Sequence, residues 1–407
     1  MKIFLIVLLV LAISFSPRIS VGMLEGNRFL DLRFEDFILV LIGILWLVDL
    51  VAKKEKIFFP PIFKAILIYI SLAALSTFLG VLQGWIDPVK STFFYLKEIE
   101  YFFICIVVAN FIKNYKDFEV IVYSLVTCVI TNGIYIFFQI ILNRMPNYYV
   151  GTIGEPSKFI TGGYFAISLI LSAVIFLMVE KPKLKYISLV SLVLCILGLM
   201  GSISRANIFG VLFSFLFLVF FIIRELVKGN RIVFISPRYI LAGILIFFAL
   251  SSAFLKLKTM SYIDVGSAKE YLLNSRVNTI YIPLLAEFKK SPILGFGKTG
   301  CSIIVPGTGE AHNHYLRILF EMGIIGLVAF LYLIFSIIKM YLKAYNISQF
   351  KPGKAVALSC LLVIFTLMVA SFTQDAFLPV KVNETFWLLV GLTASVYRLN
   401  TENSKVL

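Results

Sequence analysis

The chain has 407 residues, of which 60% are hydrophobic and only 14% charged, against about 25% charged in soluble domains. Thirty-seven basic and 22 acidic side chains are too few to coat the two or three domains a soluble chain of this length would form, and the apolar content excludes disorder. An integral membrane protein remains, and at about 20 apolar residues per span the chain has material for about twelve helices. The net charge of +15 is read as loop charge that orients those helices rather than as a nucleic-acid surface. The five cysteines show no paired spacing, so neither a disulfide framework nor a zinc site is expected.

In chain order the apolar segments are 3–21, 37–52, 63–82, 95–112, 119–142, 160–179, 186–203, 206–223, 239–256, 315–338, 355–373 and 382–397. The first is short and follows Lys2 like a signal peptide, but it lacks a small-residue cleavage site and is read as a helix. The expected class is an all-α polytopic membrane protein of about twelve spans. It is divided into helices one to nine over 1–256, a long loop over 257–313, and helices ten to twelve over 314–407. With the N-terminus cytoplasmic, 20 Lys and Arg fall in inner segments and nine in short outer ones. The rule that cytoplasmic loops are basic then puts both termini in the cytoplasm and the long loop outside the inner membrane.

In that loop Leu273, Val277, Ile280, Leu284 and Phe288 recur at helical spacing, which predicts an amphipathic helix on the membrane surface, bent by Pro283. The following stretch holds five glycines between Gly295 and Gly309 and predicts turns, usable as a lid or wall over a ligand.

Polar residues at membrane boundaries are the candidates for chemistry. Arg205 sits in a tight turn between two apolar helices, as an interfacial anchor or as a bidentate phosphate clamp. Arg276 lies on the loop helix. His312 and His314, the two histidines of the chain, flank Asn313 at the start of the tenth segment, where a histidine can act as a base or Asn313 can simply cap the helix. Arg317 and Glu321, four apart, are placed to pair. Lys97, Glu98 and Glu100 open the fourth segment; the carboxylates can orient a sugar, pair with Arg205 or Arg276, or be neutralised by Lys97. Phosphate-loop, dinucleotide, zinc-protease and serine-hydrolase motifs are absent, and no metal site or cofactor is expected. A transporter or flippase would scatter polar groups along several helices, as only Asn132 and Gln139 hint.

At Pro292–Gly297, at His312-Asn313-His314-Tyr315-Leu316 and at Gly323-Ile324-Ile325-Gly326 the sequence resembles the O-antigen ligase/polymerase family. Ser204-Arg205 looks like that family's mid-chain Ser-Arg, Arg276 stands about where the family keeps a loop arginine, and Leu30–Val48 is similar to its second-helix start. The resemblance implies a GT-C-type helical fold and a metal-independent, inverting glycosyltransferase. Its donor would be an undecaprenyl-diphosphate-linked saccharide and its acceptor a saccharide or a lipid core, with membrane lipids and a chain-length regulator as further partners. His312 would be the base and Arg205 and Arg276 the diphosphate ligands, with Asn313, His314, Glu98 and Glu100 in support. Polymerase is preferred to ligase.

Overall fold

The computed structural model describes residues 2–15, 18–24, 28–53, 56–142, 144, 150–155, 157–227, 273–305 and 310–403. Among these it holds twelve α-helices and one β-hairpin. α1 (Lys2–Phe15), β1 (Arg18–Leu24) and β2 (Arg28–Arg33) lead into α2 (Phe34–Lys53), α3 (Phe63–Leu82), α4 (Pro88–Phe111) and α5 (Tyr115–Ile141). Then come α6 (Lys158–Met178), α7 (Pro182–Ser202), α8 (Arg205–Val227), a π-helical stretch Leu273–Tyr281, α9 (Ile282–Phe288), a 3-10 turn Gly300–Ile303, α10 (His314–Ile347), α11 (Lys351–Ala370) and α12 (Val380–Asn403). Seven helices, α3, α5 to α8, α10 and α11, are long and apolar enough to cross a bilayer, so the chain is a multi-pass membrane protein. The segment 239–256 and the loop start 257–272 lie outside the described residues.

The helix starts follow from local chemistry. Asp87 caps α4 by accepting from the Lys90 amide at 2.6 Å, with Pro88 at the first helical position where its missing donor costs nothing. This starts α4 seven residues before the apolar run at 95. Asn114 caps α5 and Asn313 caps α10 in the same way, accepting from Asp117 N at 2.9 Å and Leu316 N at 3.1 Å. α6 and α11 are the most enclosed spans, and α6 packs on α7, α11 and α12. Helices approach closely where glycine leaves room: a side chain on Gly210 would run into the Thr366 carbonyl, and one on Gly391 into that of Cys105. All five cysteines are free and buried.

The expected all-α class holds but for one small hairpin: β1 and β2 pair antiparallel, with a register slip between Ser20 and Gly22. Two other expectations are corrected. The first apolar segment stops as a helix at Phe15, ahead of Pro17, and 14 residues are short of a full span. The loop helix does not rest its buried face on the membrane. Ile280 and Leu284 pack against Phe296, Cys301, Ala311 and Phe320, and it is Ile282 and Leu285 that are exposed. The first turn of α9 contains Pro283, which coincides with the change from π to α winding.

The described part of the glycine-rich stretch, 292–300, is a buried stitch onto α10, which breaks its helical course at Gly323 (φ +70°); Gly307 and Gly309 lie outside the described residues. The Phe296 and Gly297 amides donate to the Phe320 and Glu321 carbonyls at 3.0 and 2.7 Å, and the Ile324 amide donates to the Pro292 carbonyl at 2.9 Å. Ser76 of α3 donates to the same Glu321 carbonyl at 2.6 Å, and Phe296 stacks on Phe320 with ring centres 4.5 Å apart. The two glycine motifs of the sequence are therefore one contact, in which backbone meets backbone.

Candidate functional site

The starts of α6, α8, α10 and α12 and the loops joining them gather at one end of the bundle, as their cross-links show. Gln374 Nε2 donates to Asn207 Oδ1 at 3.0 Å, Lys381 Nζ to the Ile153 carbonyl at 3.0 Å, and the His314 amide to the Ser371 carbonyl at 2.9 Å.

Three cations meet here. Lys158 feels the repulsion of both Arg205 and Arg276. Lys158 and Arg205 are the first residues of α6 and α8, where a cation opposes the positive end of the helix dipole. No ion pair neutralises either among the described residues, and Arg276 donates to the Thr373 carbonyl at 2.9 Å. The turn that presents Arg205 is strained: Ile203 is left-handed at φ +56°, an outlying conformation for a β-branched side chain. Like charges held at three helix and loop ends create a positive potential that would attract an anion.

His312 adjoins this group. It too is left-handed, at φ +51°, and strain of this kind collects at functional sites. Its amide donates to Asp375 Oδ2 at 3.3 Å, its carbonyl accepts from the Tyr281 hydroxyl at 3.3 Å, and its Nδ1 lies 3.8 Å from Glu310. Burial and the Arg276 guanidinium hold the imidazole below its ordinary pKa of 6.5, against the opposing pull of Glu310 and Asp375. It is therefore neutral, and able to take a proton, at physiological pH. Burial likewise raises the Tyr281 phenol, which keeps its proton for the His312 carbonyl.

His312 also lines a cavity of about 330 Å³ whose polar residues include Arg33, Glu155, Glu310, Gln374 and Asp375. Asp375 is also 3.6 Å from Arg317, which pairs with Glu321 at 3.0 Å as the four-residue spacing predicts. Glu321 Oε1 in turn accepts from the Thr299 amide at 3.2 Å. The ion pairs thus tie the cavity to the stitched loop.

The structure brings Arg205, Arg276 and His312 to one place and the other candidates elsewhere. Asn313 caps α10 and holds the Phe372 carbonyl at 3.2 Å. His314 is buried between Phe330 and Phe377. Glu98 Oε1 accepts from Lys298 Nζ at 3.1 Å and from the Tyr69 hydroxyl at 2.9 Å, and so anchors the glycine stretch rather than meeting an arginine. Glu100 shares the Lys97 ammonium with Asp36 and Glu384. These three carboxylates converge as metal ligands would, and Lys97 supplies the positive charge among them. Asn132 and Gln139 are spent on main-chain groups of Ser14, Ile153 and Gly151.

Sequence reasoning missed Lys158, Glu155, Gln374 and Asp375. Polar residues opening a helix after a span were the available signal, in Ser157-Lys158 and in Thr373-Gln374-Asp375.

Residues 190–331 match the family model described as O-Antigen ligase. A comparison with curated proteins gives no match. The matched stretch holds Arg205, Arg276, His312 and both halves of the glycine stitch, and it stops before Gln374 and Asp375. The chain is accordingly a multi-pass membrane protein whose residues 190–331 are similar to the O-antigen ligase family.

Proposed function

We propose that the protein is an inverting, metal-independent polymerase of undecaprenyl-diphosphate-linked glycan, working at the outer face of the cytoplasmic membrane. In this reading it is a GT-C-type helical bundle, one membrane domain interrupted by the loop 257–313, with both termini in the cytoplasm. The observation that carries it is the position of neutral His312 between an anion-seeking group of cations and a carboxylate-lined cavity.

His312 takes the proton of an acceptor hydroxyl. The hydroxyl oxygen forms the new bond to the anomeric carbon as the bond from that carbon to the diphosphate oxygen breaks. The diphosphate leaves with the electron pair and stays on its lipid, and the imidazolium later gives its proton to solvent. Charge grows on the leaving oxygen, and Lys158, Arg205 and Arg276 stabilise it without a metal. Arginine suits this task because its fork binds phosphate with two parallel bonds. Arg205→Lys is therefore expected to weaken donor binding strongly, and a donor affinity equal to wild type would remove the clamp role.

Product analysis tests the reaction. Purified full-length protein is given an undecaprenyl-diphosphate-linked saccharide, and the lipid-linked glycan is expected to lengthen, with no loss on adding a chelator. Glycan that leaves the lipid for a core or protein acceptor would identify a ligase. Cysteine labelling tests the orientation. Cys301 is fully buried and unsuitable, but Ile303 two residues on is exposed. Ile303→Cys is expected to react with an impermeant maleimide from outside the cell, and labelling only from the cytoplasmic side would invert the topology.

A further inference from the structure

The cavity in front of His312 has an uneven hydrogen-bonding character. Three of its lining residues carry a buried oxygen that accepts no hydrogen bond: Glu155 Oε2, Gln374 Oε1 and Asp375 Oδ1. The donors of the same groups are already committed. Gln374 gives its amide N–H to Asn207, and Arg33 is paired with Glu155. None of the unpaired buried donors among the described residues lines the cavity. An unmet buried lone pair is costly; these oxygens have almost no accessible surface of their own, so a ligand rich in O–H or N–H groups would satisfy them once their side chains turn toward the cavity.

Size and walls narrow the class. About 330 Å³ is near the lower end of the roughly 300–1,000 Å³ of small-molecule sites and fits one sugar ring rather than an oligosaccharide. Phe94 and Phe159 are among the lining residues and offer apolar surfaces to the C–H faces of a pyranose. Phe159 also lies against the His312 ring, with centres 6.4 Å apart.

Charge decides which sugar enters. Glu155, Glu310 and Asp375 put three carboxylates on this cavity against the one guanidinium of Arg33, while Lys158, Arg205 and Arg276 are not among its lining residues. A diphosphate is drawn to the cations and repelled by the carboxylates. What remains for the cavity is the partner whose hydroxyl His312 deprotonates.

We propose that this cavity is the subsite for the terminal sugar of the acceptor glycan, and that it selects a neutral or amino sugar and rejects a uronic acid. The assignment of donor and acceptor sides rests on the glycan-transfer reading. The preference itself rests on the three unmet oxygens and the three carboxylates.

Binding tests it without any donor. Full-length protein in nanodiscs is titrated at neutral pH with methyl glucoside, methyl glucosaminide and methyl glucuronide, and with the galacto counterparts. In at least one series the neutral and amino glycosides are expected to bind at least about tenfold more tightly than the uronide, as like charges within a site cost affinity. Combining Glu155→Gln with Asp375→Asn should erase most of that ratio. Leu378→Trp, at an apolar lining position, fills the space without removing a polar partner and should abolish binding of every probe. Should the double variant not fold, the wild-type series and Leu378→Trp still decide. Uronides bound as tightly as glucosides, binding untouched by Leu378→Trp, or no binding of any probe overturns the subsite. A protein that shows the preference yet transfers no glycan keeps the subsite and loses the transfer reading. One that extends uronate-ended acceptors as fast as neutral ones keeps the transfer reading and loses the subsite.

Discussion

Replacing His312 with asparagine is expected to lower glycan transfer by about 10²–10⁴-fold, the usual contribution of a positioned base, while the protein stays folded. Asparagine is chosen because it tolerates the left-handed backbone found at φ +51°. The fold should survive because the hydrogen bonds of this residue to Asp375 and Tyr281 run through its main chain. The imidazole itself meets little beyond Phe159 and Glu310. Donor binding should persist, since the three cations remain. Full activity in a purified assay would show that another group takes the proton.

The same assignment fixes a pH dependence with a definite sign. The base must be neutral to work, and its pKa is held below 6.5 first by burial and then by Arg276. Transfer should therefore be on a plateau at neutral pH and fall only as the medium is acidified through that lowered value. Arg276→Gln removes a cation that opposes protonation, so the acid limb should move up. Glu310→Gln removes a carboxylate that favours protonation, so the limb should move down. Opposite shifts from two variants on either side of one ring are hard to obtain unless that ring is the titrating group.

The second large effect concerns stability. Gly323→Ala is expected to abolish a stable, monodisperse protein. The new carbon would lie 2.1 Å from the Ile293 carbonyl oxygen, at a φ of +70° that side chains avoid. The conformation alone costs about 1–2 kcal/mol, and the overlap must be relieved by moving backbone that carries the Pro292 and Ile293 hydrogen bonds. Gly84 separates the two contributions. It has φ +67° but open space around it, so Gly84→Ala should cost only the conformational part. Thermal unfolding in detergent would compare them, and equal melting points for the two variants would remove the stitch as a structural determinant.

Much of the scaffold was legible because lipid imposes a simple rule: a run of apolar residues is a helix. The third segment, 63–82, coincides with α3, and Arg317 and Glu321 pair as their spacing requires. The hairpin was legible in principle, since two alternating stretches flank Glu25-Gly26-Asn27. It was overshadowed by the stronger apolar run before it. Part of the site was not legible for a physical reason. Asp375 reaches His312 from 63 residues away, and Glu155 reaches Arg33 from 122. No local pattern encodes the meeting of two helix ends. Glu98 and Glu100 illustrate both cases. Glu100 meets Lys97 three residues away on its own helix, as local spacing allows, whereas the Lys298 partner of Glu98 is brought in by the packing of another element.

The break at Gly323 has a mechanical consequence. Membrane helices adjust to bilayers of different thickness by tilting, and a continuous α10 would carry His312 along with that motion. Here the first turns of α10 are fastened to the loop through Phe320 and Glu321, while the helical course is interrupted just below them. The long lower part of α10 can lean with the lipid, and the short upper part is held by the loop and by α3. The His312 ring is thereby insulated from the bilayer in which the rest of the adjoining helix is embedded.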